Sequence, residues 1–129
     1  MLVINGHGGN TAALRSAVQT CQHERRSLTI HHIGGEHRDV HAGISETSLM
    51  LHLAPELVRM ELAESGNTEP LQRLLPALMA GGVRSVSRNG VLGDPRYANA
   101  ETGAGLFSEM VEAALVSARW ALGNVAEAH

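Results

Sequence analysis

Two stretches of this sequence place ionisable side chains beside residues that let the backbone turn sharply. In the first, His7 is flanked by Gly6, Gly8 and Gly9. Glycine adopts positive φ values easily and allows the backbone to come close to a ligand. The apolar run over residues 2–4 directly before this turn is typical of a short buried strand. We therefore expect His7 to lie at the tip of a strand-ending elbow and to project into a cleft.

In the second stretch, His41 precedes a predicted helix and Glu46 falls within its first turn. Neutral imidazole and carboxylate are ligands that zinc, manganese and iron(II) accept. A catalytic zinc site normally takes three protein ligands, and no close-spaced pair in the sequence supplies the third. The residues alone therefore leave two hypotheses open: a metal site built on His7 and Glu46, or capping and loop hydrogen bonds made by the same side chains. His37 and Asp39 could line the same cleft.

Composition narrows the class of protein. The chain has 129 residues and is 43% hydrophobic, which indicates a single globular domain. Its formal net charge is −3 and its largest basic cluster is the pair Arg25 and Arg26, so we expect no nucleic-acid partner. No apolar run reaches the roughly 18 residues of a membrane helix, and no secretion signal opens the chain. We therefore expect a cytoplasmic protein without a membrane partner.

The first third of the chain has the pattern of a strand, a helix and a strand. Residues 1–4 and 28–33 are strand-like, and helical spacing covers residues 10–24 between them. This order implies a right-handed parallel crossover and hence an α/β fold. His31 and His32 are adjacent, so in a strand they face opposite sides. We interpret both as structural histidines.

The central part of the chain is predicted to be mostly helical. One helix covers residues 44–53, and helical spacing returns over residues 71–80. Pro76 in the middle of the latter predicts two short turns in place of one straight helix. Residues 83–87 alternate apolar and polar side chains, which favours a short strand or an extended segment.

The last predicted element is the longest helix, over residues 99–122. Asn99 is available as its N-cap. The small residues Gly103 and Gly105 suit close packing of this helix against a sheet.

Three segments of the chain, in this order, resemble the creatininase family of metal-dependent amidohydrolases. They are Val3-Ile4-Asn5-Gly6-His7-Gly8-Gly9-Asn10, His41-Ala42-Gly43-Ile44-Ser45-Glu46-Thr47-Ser48 and Gly90-Val91-Leu92-Gly93-Asp94-Pro95. The resemblance covers nearly the whole chain, and the run over residues 82–95 is most similar to the branch of the family that acts in mycofactocin maturation. It implies a three-layer α/β/α fold, a two-metal site at the carboxyl ends of parallel strands, and hydrolysis of an amide or peptide bond by metal-activated water. In that branch the implied task is removal of a C-terminal dipeptide from the precursor peptide.

The resemblance also implies a role for individual residues. His7 would be a ligand of the first metal and Glu46 of the second, the metals being zinc, iron(II) or manganese. His41 would act as the general acid or base, or would steady the tetrahedral intermediate. Gly8 and the loop from Gly90 to Asp94 would shape the substrate pocket, although Asp94 could instead only fix the turn. The implied partners are a peptide or small amide substrate and further copies of the chain in a ring-like homo-oligomer.

The sequence departs from the family pattern in two places. Gly9 stands where creatininase itself has an acidic ligand, and the family's Glu-x-His pair and bridging aspartate belong to a segment upstream of the elbow. Residues 1–129 are therefore expected to form the carboxyl half of one creatininase-like domain, with no second domain. Two functions stay open: a hydrolase that needs the other half, or a non-catalytic remnant or assembly partner. We also expect marginal stability, an unpaired edge on the first strand and weak metal binding.

Overall fold

The computed structural model describes residues 1–33 and 39–126. His37, considered above as a cleft residue, lies outside the described residues. The chain divides into two compact units, one formed by Met1–Glu36 with Glu109–His129 and the other by His37–Ser108. The regular elements of the described residues are, in chain order, β1 (Leu2–Asn5), α1 (Thr11–His23), β2 (Thr29–His32), α2 (Ile44–Leu53), α3 (Leu71–Gly81) and α4 (Ala100–Ala126).

The first unit contains a parallel pair of strands joined through a helix. β1 and β2 pair with Leu2 opposite Thr29 and Asn5 opposite His32, and α1 connects them. This confirms the predicted strand, helix and strand. Within the described residues β1 pairs with β2 alone, and the side chain of Ile4 is 50% exposed. The unpaired edge on β1 stays a prediction.

The two adjacent histidines of β2 make separate hydrogen bonds. The Nδ1 atom of His31 lies 2.7 Å from the Oγ atom of Ser117, in the part of α4 that belongs to the first unit. The Nδ1 atom of His32 lies 3.0 Å from the side-chain amide nitrogen of Asn5. Each ring thus has its own partner, as the interpretation of structural histidines requires.

The second unit is built from α2, α3 and the first turns of α4. α2 has the predicted limits, but α3 is one continuous helix with Pro76 inside it, so the prediction of two short turns is wrong. Proline removes one backbone hydrogen bond from a helix. The remaining bonds and the burial of Leu74 outweigh that loss, because splitting the helix would expose this side chain.

The predicted strand or extended segment over residues 83–87 is also wrong. Residues Val83–Ser85 form a 3-10 turn. Gly82 has a φ of +68°, which reverses the chain directly after α3. The Ser85 hydroxyl then lies 2.9 and 2.7 Å from the carbonyl oxygens of Ala77 and Gly82, which share its single hydrogen. These contacts hold the segment against the end of α3. The alternation of apolar and polar residues over 83–87 is too short a strand signal to overcome them.

The start of α4 confirms one prediction and corrects another. The Asn99 side-chain oxygen accepts a hydrogen bond from the Thr102 amide at 2.8 Å, so Asn99 is the N-cap. Gly103 packs against α2 and not against a sheet, because a Cβ atom there would collide with the backbone carbonyl of Ser48. Gly105 faces open space. Close helix packing therefore depends on Gly103 alone of the two glycines.

Apolar burial is sparse in this chain. Among the described residues, the hydrophobic side chains in the buried class are Leu74 and Leu92. Large apolar side chains are exposed on several helices and turns, among them Leu53, Leu57, Leu62, Met79, Val116 and Trp120. In the described part of the chain no helix is both long and apolar enough to cross a membrane.

Candidate functional site

The elbow after β1 is organised by the buried side chain of Asn5. Its amide nitrogen donates to the His7 carbonyl at 2.9 Å and to the Nδ1 atom of His32 at 3.0 Å. Its oxygen accepts from the His7 amide at 3.4 Å and from the side chain of Asn10 at 3.1 Å. One amide thus links the end of β1, both sides of the turn and β2. Motif reasoning gave Asn5 no role, although a polar residue ending an apolar strand was a visible sign of one.

The imidazole of His7 is engaged within its own loop. His7 precedes a 3-10 turn over Gly8–Asn10, and its Nδ1 atom accepts a hydrogen bond from the Gly9 amide at 3.0 Å. A nitrogen that accepts such a bond carries no proton, so the proton of the neutral ring is on Nε2. A metal at Nδ1 would displace the Gly9 amide, and a metal at Nε2 would move the proton to Nδ1. Binding through either nitrogen therefore breaks the contact with Gly9.

The second stretch brings two predicted site residues together. The Nδ1 atom of His41 lies 3.5 Å from the Oε2 atom of Glu46, and the two side chains are 53% and 55% exposed. The same Oε2 atom accepts a hydrogen bond from the Ala42 amide at 2.5 Å. Glu46 therefore makes the capping contact that was one of the two hypotheses for it. The same position places the Glu46 carboxylate beside the accessible imidazole of His41.

Asp39 holds the beginning of α2. Its Oδ1 atom accepts a hydrogen bond from the Ser45 amide at 3.2 Å, where the free amides of a helix favour negative charge. Gly43 and Gly93 leave room for this carboxylate. A Cβ atom at Gly43 would collide with it, and one at Gly93 would lie 2.9 Å from its Oδ2 atom. Sequence reasoning weighed Asp39 only as a cleft residue and missed this supporting role.

The third family-like segment is joined to the second by main-chain hydrogen bonds. Leu92 and His41 form an antiparallel bridge, with the Leu92 amide donating at 2.8 Å and the His41 amide donating at 3.2 Å. The carbonyls on either side of Leu92 accept from the amides of Gly66 and Asn67, both at 3.0 Å. Leu92 is only 2% exposed. The loop over residues 90–95 is therefore held on both sides and anchors the backbone of His41.

Asp94 in that loop stabilises a turn. Its carboxylate accepts a hydrogen bond from the Arg96 amide at 3.1 Å and forms an ion pair with the Arg96 guanidinium, Oδ2 to Nη2, at 2.6 Å. The side-chain hydrogen bond from Arg96 and the backbone amide of the same residue lower the pKa of Asp94 to about 2. The structure thus accounts for Asp94 by turn chemistry.

The side chains of the candidate site are of the types that bind metals, but too few of them lie together to hold an ion. His7 belongs to the first compact unit, whereas His41 and Glu46 belong to the second. Over residues 1–33 and 39–126, no three His, Cys, Asp or Glu side chains are grouped as they would be around an ion. The described residues do not complete a metal site by themselves.

Comparison with known proteins identifies the family. The family model named Creatininase, creatinine amidohydrolase, matches residues 1–117. The chain belongs to the creatininase family. This creatininase family is generally metal-dependent. The family predicted from the three segments is thus confirmed.

Sequence relatives and solved structures of the creatininase family agree with this. The mycofactocin precursor peptide peptidase of Mycobacterium ulcerans (strain Agy99) is 45% identical over 124 residues, which cover 95% of this chain and 50% of that protein. A structure of creatinine amidohydrolase (creatininase) has a TM-score of 0.63 at 19% identity, covering 92% of this chain and 53% of that one. A Bacteroides fragilis NCTC 9343 structure, also assigned to creatinine amidohydrolase, has a TM-score of 0.62 at 25% identity, covering 90% and 52%.

These comparisons confirm the predicted fold class, because both solved structures are creatininase folds and the described strands are parallel. The chain spans about half the length of the curated relatives it matches.

Proposed function

We propose that this chain carries part of the active site of a metal-dependent amide or peptide hydrolase. The observation that carries the proposal is the His41 and Glu46 pair, an accessible imidazole 3.5 Å from an accessible carboxylate, within a family of amidohydrolases. We further propose that the substrate is a mycofactocin precursor peptide, from which a C-terminal dipeptide is removed. The name of the relative that is 45% identical supports this substrate.

In this proposal the side chains of the second unit move the proton. The backbone bridge with Leu92 holds His41 in place, and Glu46 faces its Nδ1 atom. A carboxylate in that position can accept the Nδ1 hydrogen and so orient the ring. The ring can then take a proton from the attacking water and give it to the leaving amine nitrogen.

His7 is the proposed ligand of the first of two metals and Glu46 of the second, with the remaining ligands supplied from outside the described residues. When bound, the metal lowers the pKa of its water and polarises the scissile carbonyl. The contact between Gly9 and the His7 ring holds the imidazole in one orientation until it is exchanged for the ion. The ion is proposed to be zinc, iron(II) or manganese.

Gly8, Gly90 and Asp94 are the proposed substrate-binding positions. A Cβ atom added at Gly8 or Gly90 would meet no atom within 4 Å, so the space beside both backbones is open to a peptide. Asp94 would act from the turn that its ion pair with Arg96 already fixes. We also propose that the enzyme acts in the cytoplasm as a homo-oligomer.

The test is peptide cleavage by this chain mixed with the unmatched half of the Mycobacterium ulcerans relative. The substrate is a synthetic precursor peptide that ends in Val-Tyr, the dipeptide that the family resemblance implies. Mass spectrometry detects the released dipeptide in the presence of zinc, iron(II) or manganese. We expect His41→Gln to lower the rate at least about 100-fold, because general acid–base catalysis contributes at least that much. The variant His23→Gln, in the last turn of α1, is the matched control and should cleave normally.

Cleavage that survives His41→Gln would overturn this assignment. Calorimetric titration of the isolated chain with zinc gives a second readout, and we expect binding weaker than micromolar. Sub-micromolar binding that His7→Ala abolishes would contradict that expectation, because it would mean that the chain alone completes a site.

The alternative function is that of an assembly partner without chemistry. Exposed apolar side chains such as Leu57, Met79 and Trp120, together with the predicted open edge of β1, favour this reading because such surfaces commonly lie in interfaces. A stable complex of the two halves that cleaves no peptide in any of the three metals would support it over the hydrolase.

A further inference from the structure

A second imidazole, that of His32, lies at the same end of the paired strands as the elbow. His32 ends β2 directly opposite Asn5, which ends β1. Asn5 is buried, whereas His32 is among the exposed residues. Ligands of open parallel sheets bind beyond the carboxyl ends of the strands. His32 therefore stands at the end of the sheet where a substrate is expected.

The hydrogen bonds around Asn5 fix which way its side-chain amide points. The His7 backbone N–H can only donate, and it lies 3.4 Å from the Asn5 oxygen. The His7 carbonyl can only accept, and it lies 2.9 Å from the Asn5 nitrogen. Turning the amide over would place oxygen against oxygen and nitrogen against nitrogen. The atom 3.0 Å from the Nδ1 atom of His32 is therefore the Asn5 nitrogen, which can only donate.

This orientation of Asn5 determines where the proton of His32 lies. Because Nδ1 accepts the hydrogen bond, the proton of the neutral ring is on Nε2. A metal at Nε2, or a positively charged ring, would require a proton on Nδ1 that faces the hydrogens of Asn5. His7 has the same tautomer through one contact with Gly9. Asn5 is buried and makes three further hydrogen bonds, so the tautomer of His32 is the more firmly held.

A neutral ring held in this form can act only as a hydrogen-bond donor. It cannot take up a proton during a reaction without losing the bond with Asn5, and it has no charge with which to attract an anion. The hydrogen bond that His32 makes within the described residues uses Nδ1. The Nε2–H group suits an uncharged acceptor, and a peptide main chain offers one in the carbonyl oxygen of every residue.

We propose that His32 positions the substrate by donating a hydrogen bond from Nε2 to a main-chain carbonyl oxygen of the peptide. The inference rests on the proposed function and adds to it a substrate contact at the end of β2. Asn5 keeps the donor in the required tautomer and also holds the elbow that carries His7. A purely structural histidine would use only Nδ1, so the two roles can be separated by experiment.

The first test observes the ring directly and does not require turnover. The chain, labelled with ¹⁵N-histidine, is titrated with the precursor peptide of the cleavage assay in EDTA, both alone and mixed with the unmatched half of the Mycobacterium ulcerans relative. Long-range ¹H–¹⁵N spectra distinguish the two ring nitrogens. We expect His32 to have its proton on Nε2 before peptide is added, and its Nε2 signal to shift on binding. His31, which bonds Ser117 from the other face of β2, is the matched control and should not shift.

Two substitutions then separate the contact with Asn5 from the contact with peptide. His32→Asn retains an acceptor at the place of Nδ1, because both atoms are bonded to Cγ, and has no donor at the place of Nε2. We expect an unchanged urea midpoint, an unchanged kcat in the two-chain assay and a KM about fivefold higher, the size of one neutral hydrogen bond. His32→Gln has the opposite pattern. Its amide nitrogen reaches the place of Nε2, so KM should stay nearly normal while the urea midpoint falls.

A proton on Nδ1 of His32, an Nε2 signal that does not respond to peptide in either sample, or a normal KM in His32→Asn would overturn the proposal. So would an equal shift of His31, because it would reflect a general change in the strand. The expected shift at His32 without cleavage in any of the three metals would refute the hydrolase while supporting His32 as a peptide contact.

Discussion

The elbow at His7 and the turn at His41 are held in place by different kinds of contact. Both hold an imidazole at a sharp turn of the backbone. At the elbow the support is a side chain, Asn5, whose amide makes four hydrogen-bond contacts around the loop. At the turn the support is mainly backbone, through the bridge between His41 and Leu92.

The difference determines what each imidazole can still do. In the elbow the ring itself is part of the support, because its Nδ1 atom accepts from Gly9. At the turn the ring of His41 contributes nothing to the backbone bridge and remains beside Glu46. Under the proposed function, the turn can transfer a proton without rearrangement, whereas the elbow must exchange one contact before it can bind an ion.

The largest effect is expected from the close backbone approach that supports the turn. In Gly103→Ala the new methyl group collides with the Ser48 carbonyl of α2, the helix that carries Glu46. We expect a loss of about 3 kcal/mol in the free energy of unfolding, measured by urea denaturation, since overpacking costs that order. The amide signal of Ala42 should shift, and that of Gly9 should not.

The matched control is Gly105→Ala in the same helix. A Cβ atom there meets nothing within 4 Å, so the higher helix propensity of alanine should stabilise the protein by about 0.5 kcal/mol. Equal effects of the two substitutions would show that the approach of α4 to α2 does not support the turn.

A smaller effect is expected when the side-chain support of the elbow is removed. Asn5→Ala leaves buried groups around the loop without their partner, and such losses cost about 2 kcal/mol in the free energy of unfolding. Asn10→Ala removes only one contact with the Asn5 oxygen and should cost less than half as much. Urea denaturation compares the two. If Asn10→Ala were the more damaging, the central role of Asn5 would be refuted.

The smallest effect concerns Asp94, in the loop over residues 90–95. Its pKa is lowered from 3.8 to about 2 by Arg96, so the ion pair favours the folded state above about pH 4. That contribution fades as the pH falls through about 2. Carboxyl-carbon NMR titration should show the pKa of Asp94 returning towards 3.8 in Arg96→Gln and unchanged in Arg88→Gln. A low pKa that persists without Arg96 would assign it to another cause.

The parts of the fold that depend on near neighbours were predictable from the sequence. The limits of α2 and the Asn99 cap follow from apolar spacing and from a capping residue three positions before its partner. The family followed from three short segments in order. In each case the interacting groups lie within one helical turn or one motif.

Some partners of the residues that support the candidate site were not predictable because they are distant in sequence. Asn5 binds His32, 27 positions away, and the space for Asp39 depends on Gly93, far along the chain. The prediction of two short turns at Pro76 was wrong for a related reason. The burial of Leu74 in the folded unit outweighs the tendency of proline to interrupt a helix. Local patterns contain no information on such partners.

The bridge between His41 and Leu92 has a practical consequence. Because it uses only peptide groups, the path of the chain at position 41 is independent of the side chain carried there. Cysteine or an unnatural amino acid could be installed at that position with the loop architecture retained. The chain thus offers a ready attachment point for a spectroscopic label or a crosslinker that reports on the surroundings of Glu46.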